Sequence, residues 1–307
     1  MQLIRHLDRY DGPPCSVAIG NFDGLHRGHQ AVLATMLSAA SQQGLAPAVL
    51  TFAPHPRRFF APDAPEFRLE SWAMKLQRLR DAGVHSVFMP RFDAAFAGLS
   101  AVDFMQQVLG EQLKAGAVVT GENFVFGNAR GGDHAQLAQW GKARGVAVHA
   151  VPPVQVGGQV CSSSAVRAAL AQGDMAQAEA LLGRPYRLAG RVLHGDKRGR
   201  ELGMPTANIA LTPGLKLPRH GIYAVWVWIG ATRVAGAASL GVRPSIGHQE
   251  KATLEVHVLD YADDLYGQRL AVDFVQWMRA EAAFPDLAAL QVAMQEDCVA
   301  VRQRLQE

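Results

Sequence analysis

Cysteine is scarce. Three residues in 307, Cys15, Cys161 and Cys298, are too few, too scattered and too odd in number for a disulfide framework or a zinc site. A reducing compartment is the natural setting, so a cytoplasmic protein is expected. Charge of one sign is also missing. A formal net charge of +3 argues for neither a nucleic acid nor a membrane surface as partner. No run approaches the ~20 apolar residues of a membrane span. The first residues carry Arg5, Asp8, Arg9 and Asp11 with no apolar core, so no signal peptide is expected. Internal repeats, low-complexity segments and the phosphate-binding pattern Gly-x-x-x-x-Gly-Lys-Ser/Thr are all absent. Secreted disulfide scaffolds, solenoids, membrane bundles and P-loop enzymes are thereby set aside.

What remains is a chain whose 49% hydrophobic content is ample for packed cores. Its length suggests two domains at roughly 150 residues each. The chain is organised around Ile19-Gly20-Asn21-Phe22-Asp23-Gly24-Leu25-His26-Arg27-Gly28-His29. An apolar run from Val17 leads in like a buried strand, and a helical pattern (Ala31, Val32, Leu33, Met36, Leu37) begins directly after His29. Strand, Gly-rich turn and helix aim backbone N–H groups at an anion. His26 and His29, three apart, fall on roughly one helical face, where both can donate to one phosphoryl group. Surface or metal-binding histidines are the plainer alternative. The surrounding Gly20, Asp23, Gly24 and Gly28 favour the phosphate reading.

Up to about residue 151 short apolar runs alternate with amphipathic stretches. Strands are expected at Ala48–Phe52, Ser86–Met89, Ala117–Thr120 and Ala147–Val151, and helices at Ser71–Ala82, from Ser100 to about Leu113, and at Ala135–Arg144. That order predicts a Rossmann-like parallel sheet with helices on both faces and a ligand at the carboxyl ends of its strands. Asn123 and Phe124, within Gly121–Gly127, fall at such an end. Phe52, Phe124 and Phe126 suit either a slot for a flat ring or core packing. Ser162-Ser163-Ser164 opens another helix with Arg167 in its first turn, either as plain caps or as a phosphate grip.

The texture changes near residue 185. Tyr223–Ile229, Arg233–Ala238, Leu254–Leu259 and Leu270–Val275 read as strands without helices between, and a last helix runs from about Asp286 to Arg304. An antiparallel sheet or small barrel is expected, with the boundary at Gly183-Arg184-Pro185, giving domains 1–184 and 185–307. The basic loop with Gly195, Lys197, Gly199 and Gly203 suits either phosphates or a hairpin. Thr206 and Asn208 share one strand face, where their oxygens can reach one magnesium ion. Glu255 is either a solvated strand residue or a general base.

These motifs, in this order over nearly the whole chain, resemble the bacterial bifunctional riboflavin kinase/FMN adenylyltransferase (FAD synthetase) family. The matching stretches include Gly20–His29, Thr51–Pro56, Gly121–Gly127, Ser162–Arg167, Gly190–Asn208, Glu255–Gly267 and Met278–Phe284. The resemblance implies an α/β adenylyltransferase domain followed by a six-stranded barrel. It implies ATP binding in the first half by Gly20, Asn21, Phe22, Asp23, Gly24, His26, His29, Ser163, Ser164 and Arg167, with FMN near Asn123 and Phe124. In the second half it implies ATP at Gly195, Lys197, Gly199, Gly203, Thr206 and Asn208, and magnesium on Thr206 and Asn208. Glu255 becomes the base for the riboflavin hydroxyl, with flavin contacts at Arg279 and Phe284. FAD is the final product, and a monomer or weak homo-oligomer is expected. The chain departs from the family's usual residues at Asn123, Ser164 and Ser245. Two other readings stay open: an enzyme with one surviving activity, and a flavin-binding module.

Overall fold

The structure, a computed structural model, describes residues 1–65, 67–194, 203–244 and 250–306. The chain divides into two compact units, Met1–Pro65 with Trp72–Ser162, and Glu66–Ser71 with Ser163–Glu307.

In the first unit six strands, β1 (Gln2–Ile4), β2 (Cys15–Ile19), β3 (Ala46–Leu50), β4 (Ser86–Phe88), β5 (Ala115–Gly121) and β6 (Ala147–Val151), form one sheet in the order β1-β4-β3-β2-β5-β6. Every pairing is parallel. Its helices are α1 (Arg27–Gln43), α2 (Pro56–Phe60), α3 (Trp72–Asp81), α4 (Ala94–Ala97), α5 (Ala101–Asp103) and α6 (His134–Arg144). β7 (Gln155–Val156) and β8 (Gln159–Val160) form a small hairpin.

The inner strands β2, β3 and β5 are mostly apolar because both faces are covered. Val17, Ile19 and Val118 enter one core layer, with Phe104, Leu109 and Leu137. Ala18, Val49 and Val119 enter the other, with Leu33 and Met36 of α1 and Leu79 of α3. Chain order reverses about β2: β3 and β4 lie to one side, β5 and β6 to the other. The crevice between the carboxyl ends of β2 and β5 is therefore the switch point where such sheets take ligands.

Three local expectations shift. The first helix begins at Arg27, not after His29, because the His26 side chain supplies the cap. The turn at Pro54-His55-Pro56 runs on into α2, with Pro56 at its first position and His55 as its cap. The helix expected after Ser100 becomes π-helical over Phe104–Gln112. There Leu113 N–H reaches the Val108 carbonyl, and the wider turn keeps Phe104, Met105, Val108 and Leu109 all buried.

In the second unit α7 (Ser163–Gln172) packs on α8 (Met175–Leu182), which contacts the barrel strands that follow. These are β9 (Tyr186–Leu193), β10 (Ala207–Ile209), β11 (Gly221–Ile229), β12 (Thr232–Pro244), β13 (Glu250–Val258) and β14 (Arg269–Arg279). They close in the order β10-β13-β12-β11-β14-β9, every neighbour antiparallel. The terminal helix α9 (Leu287–Gln306) buries Cys298 and Val301 against Met204, Ala224 and Leu259. Leu254, Val256 and Val258 fill the barrel while Glu255 and His257 stay half-exposed, the period-2 signal read from the sequence. β12 runs well past the expected Ala238, since its Gly and small residues weaken that signal.

Closure puts β9 hard against the chain leaving β10. A side chain at Gly190 would collide with the Ala210 carbonyl. Gly190→Ala should therefore destabilise the barrel by about 2–3 kcal/mol, the cost of overpacking. Urea unfolding followed by the fluorescence of Trp226, Trp228 and Trp277 checks this.

Candidate active sites

In the first unit the chain leaves β2 through Gly20–Leu25 and turns into α1. Phe22, Gly24 and Leu25 adopt left-handed backbone, with φ of 46°, 80° and 43°. Phe22 is nonetheless fully buried and Leu25 nearly so. Asp23 is also buried, 2% exposed.

His26 sits at the N-cap of α1 in extended conformation. Its Nδ1 accepts a long bond (3.4 Å) from the His29 backbone N–H. A neutral His26 then carries its proton on Nε2, which makes Nε2 the donor. The His26 and His29 rings stack at 3.7 Å between centroids, 25° apart, and Phe22 leans on His29 at 5.1 Å. Gly28 is needed beneath them, since a Cβ there would lie 3.1 Å from the His26 ring and 3.2 Å from the Cys161 carbonyl. Two stacked imidazoles thus sit in the first turn of α1, a disposition suited to a polyanion.

Asn123 is exposed in the turn just after β5, at the switch point. Phe124 stacks on Phe126 at 5.4 Å, and Phe126 is core. Phe52 packs on Phe92 and Phe96. Core packing is thus the role Phe126 takes, and the half-buried Phe52 and Phe124 border the same layer. Ser163, Ser164 and Arg167 belong to the second unit, where Arg167 Nε donates to the Phe67 carbonyl at 2.6 Å.

The barrel brings together residues the sequence holds far apart. Asn208 pairs with Glu255, Glu255 with Ser239, Ser239 with Ile222, and Ile222 with Arg279. This makes one lateral row across β10, β13, β12, β11 and β14. Side chains directly opposite on neighbouring strands have Cβ atoms about 4.5–5.5 Å apart.

Two cavities flank the row and share Thr206. One, about 310 Å³, is lined by Thr206, Asn208 and the segment from Tyr261 to Tyr266. The other, about 380 Å³, is lined by Glu255, Thr206, Arg279 and Phe284, together with Ser239, His257, Glu281, Asp297 and Cys298. Arg279 donates to both Asp297 oxygens, Nε at 2.8 Å and Nη2 at 2.6 Å. These hydrogen bonds raise its pKa further, so the guanidinium stays charged. Burial raises the pKa of the Cys298 thiol, which stays protonated at neutral pH.

Ser239, His257, Glu281 and Asp297 were not singled out from the sequence. Ser239 and His257 are placed by cross-strand register, which needs the strand pairing, and Glu281 and Asp297 by the chain beyond β14 and by α9. Gly195, Lys197, Gly199 and Ser245 lie outside the described residues. Gly203, exposed, has a φ of 72°. Among the described residues no cluster of three or more His, Cys, Asp or Glu could hold a metal. Thr206 and Asn208, both on one cavity, are a hard oxygen pair that fits magnesium.

Comparison with known proteins bears on both halves. The model of the FAD synthetase family matches residues 9–165, and that of riboflavin kinase matches residues 182–305. The chain belongs to the bifunctional riboflavin kinase/FMN adenylyltransferase family. It is 42% identical to the family member of Pseudomonas fluorescens over 98% of this chain and 97% of that one. It is 38% identical to that of Escherichia coli K12 over 99% and 97%. A crystal structure described as a macrolide-efflux protein from Streptococcus pneumoniae is 29% identical, covers 98% of both chains and superposes with a TM-score of 0.89. In this chain, no helix among the described residues is long and apolar enough to cross a membrane.

The cap geometry gives a stability test separate from chemistry. His26→Ala should cost about 1 kcal/mol through loss of the N-cap. His26→Asn, which caps well, should recover most of it in the same denaturant titration.

Proposed function

We propose that residues 1–184 catalyse adenylyl transfer and residues 185–307 phosphoryl transfer. The enzyme is a bifunctional riboflavin kinase and FMN adenylyltransferase: riboflavin and ATP give FMN and ADP, and FMN and ATP give FAD and pyrophosphate. The observation that carries the kinase assignment is the row that sets Glu255 between Asn208 and Ser239, with Thr206 shared by the two flanking cavities.

In the kinase half, riboflavin is assigned to the larger cavity, with Arg279 and Phe284, and ATP to the smaller, with Thr206 and Asn208; the part of Gly195, Lys197, Gly199 and Gly203 toward ATP rests on the family resemblance. Glu255 accepts the proton of the ribityl 5′-hydroxyl as its oxygen bonds to the γ-phosphorus and ADP leaves. Thr206 and Asn208 would hold magnesium, which supplies charge neutralisation on the phosphates when bound.

In the adenylyltransferase half, an FMN phosphate oxygen attacks the α-phosphorus of ATP and the bond to the pyrophosphate oxygen breaks. His26 and His29 stabilise charge on the phosphates, with the backbone of Gly20, Asn21, Phe22, Asp23 and Gly24 beside them. The role of Ser163, Ser164 and Arg167 toward ATP, and of Asn123 and Phe124 toward FMN, rests on the family resemblance. The reading makes the enzyme cytoplasmic and a monomer or weak homo-oligomer, with small molecules alone as partners. The three cysteines, free and buried, support a reducing compartment.

Two substitutions separate the activities. Glu255→Gln keeps size but removes the proton acceptor, so FMN formation should fall by ~10²–10⁴ while FAD formation from supplied FMN persists. Wild-type kinase turnover in this variant would leave the barrel a nucleotide site without its base. His29→Ala should do the converse, lowering FAD formation by ~10²–10³ with FMN formation intact. Chromatographic separation of riboflavin, FMN and FAD reads both, and loss of both activities in one folded variant would overturn the two-site assignment.

A further inference from the structure

Lys75, in the middle of α3, is 5% exposed. Its Nζ donates to the backbone carbonyl of Asn21 at 2.7 Å and lies 4.4 Å from the Trp72 ring centroid. The same carbonyl accepts from Thr51 Oγ1 at 3.2 Å, and Thr51 is fully buried. One oxygen at the start of the phosphate turn is thus held by two side chains from two other elements.

The peptide carrying that oxygen joins Asn21 to Phe22. It is trans, so its C=O and its N–H point to opposite sides. Fixing the carbonyl toward Lys75 and Thr51 fixes the Phe22 N–H the other way, and that N–H has no partner among the described residues. The arrangement works against local preference. Phe22 has φ of 46°, where side-chain-bearing residues are rarely found. A half-turn flip of the peptide would take that φ to about −134°, an ordinary extended value, and would reverse the N–H. The flip is opposed by the two hydrogen bonds on the Asn21 oxygen.

We propose that Lys75 is a positioning residue for adenylyl transfer: with Thr51 it holds the Asn21–Phe22 peptide so that the Phe22 N–H is presented as a donor to the phosphates of ATP. The proposal rests on the adenylyltransferase reading above. It assigns α3 a part in the reaction through the backbone of the turn.

The test measures FAD formation from supplied FMN and ATP on the full chain. FMN formation from riboflavin in the same preparation is the internal control. Lys75→Met should lower kcat roughly 10- to 10²-fold, toward the loss of one transition-state donor, with KM for ATP moving far less. Thr51→Val removes the other donor without touching charge and should lower kcat in the same way by a smaller factor. The double variant should be non-additive, since both act on one peptide. In ¹⁵N spectra the Phe22 amide should respond to ATP in the wild type and lose that response in Lys75→Met.

A Thr51→Val enzyme at wild-type rate with strictly additive effects would overturn the proposal and leave Lys75 acting by charge alone. So would an unchanged kcat in Lys75→Met, or a Phe22 amide that still responds to ATP. If Lys75→Met does not fold, Thr51→Val and the amide response decide. Absence of FAD from the wild type itself would instead overturn the functional reading.

Discussion

The turn after β2 has to reverse the chain within a few residues and open α1, and it does so through left-handed residues that are not all glycine. Phe22 and Leu25 each cost about 1–2 kcal/mol in that conformation. Both side chains are buried, Phe22 completely, and full burial of an apolar side chain contributes about 1.5–3 kcal/mol. The turn is therefore held down by its own hydrophobic residues, packed with Ala18, Met36 and Val49. The histidines inherit this rigidity. His26 caps the helix that the turn opens, Phe22 supports His29 from one side, and Gly28 leaves the space the stacked rings occupy. Glycine at all these positions would relieve the backbone but remove the anchors.

The barrel solves a different problem. Asn208, Glu255, Ser239 and Arg279 lie in one row although the chain delivers them between positions 208 and 279. Antiparallel closure does this by register alone, because residues opposite one another on successive strands form a row perpendicular to the chain. A one-residue slip of β13 would turn Glu255 into the core and Leu254 outward. The apolar alternation of Leu254, Val256 and Val258 thus fixes the register and, with it, the position of the carboxylate.

The sequence disclosed the two fold types because each has its own periodicity: continuous apolar runs where both sheet faces are covered, alternation where one face is open. The helix at 72–81 was legible from its amphipathic spacing, and both it and the helix at 134–144 stop just before a glycine with positive φ, Gly83 and Gly145. The start of α1 was not, because histidine is an unusual cap and gives no composition signal. The π-helical run was hidden because its hydrophobic spacing also fits an α-helix. Of the candidate sites, the residues inside contiguous motifs were readable. Ser239, Glu281 and Asp297 were not, since nothing in a linear string states which strands pair or where the terminal helix docks. Lys75 was hidden for a related reason: on a helical wheel it is one more charged residue of an amphipathic helix, and only its burial against Asn21 distinguishes it.

The two halves divide their chemistry along the line their folds impose. A parallel sheet ends its strands at turns and helix N-termini, so it offers N–H groups, positive dipole ends and the imidazoles mounted on them. These donate hydrogen bonds and positive charge to phosphates, and the transfer assigned to this half asks none of them to accept a proton from an alcohol. Adenylyl transfer to a phosphate nucleophile needs no such acceptor, because that oxygen is already ionised near neutral pH. A barrel exposes side chains on strands, whose spacing can hold a carboxylate between polar neighbours. Phosphorylating an alcohol calls for a proton acceptor, since the hydroxyl must lose its proton as it reacts. Each nucleophile thus meets the scaffold whose backbone geometry supplies what that nucleophile lacks.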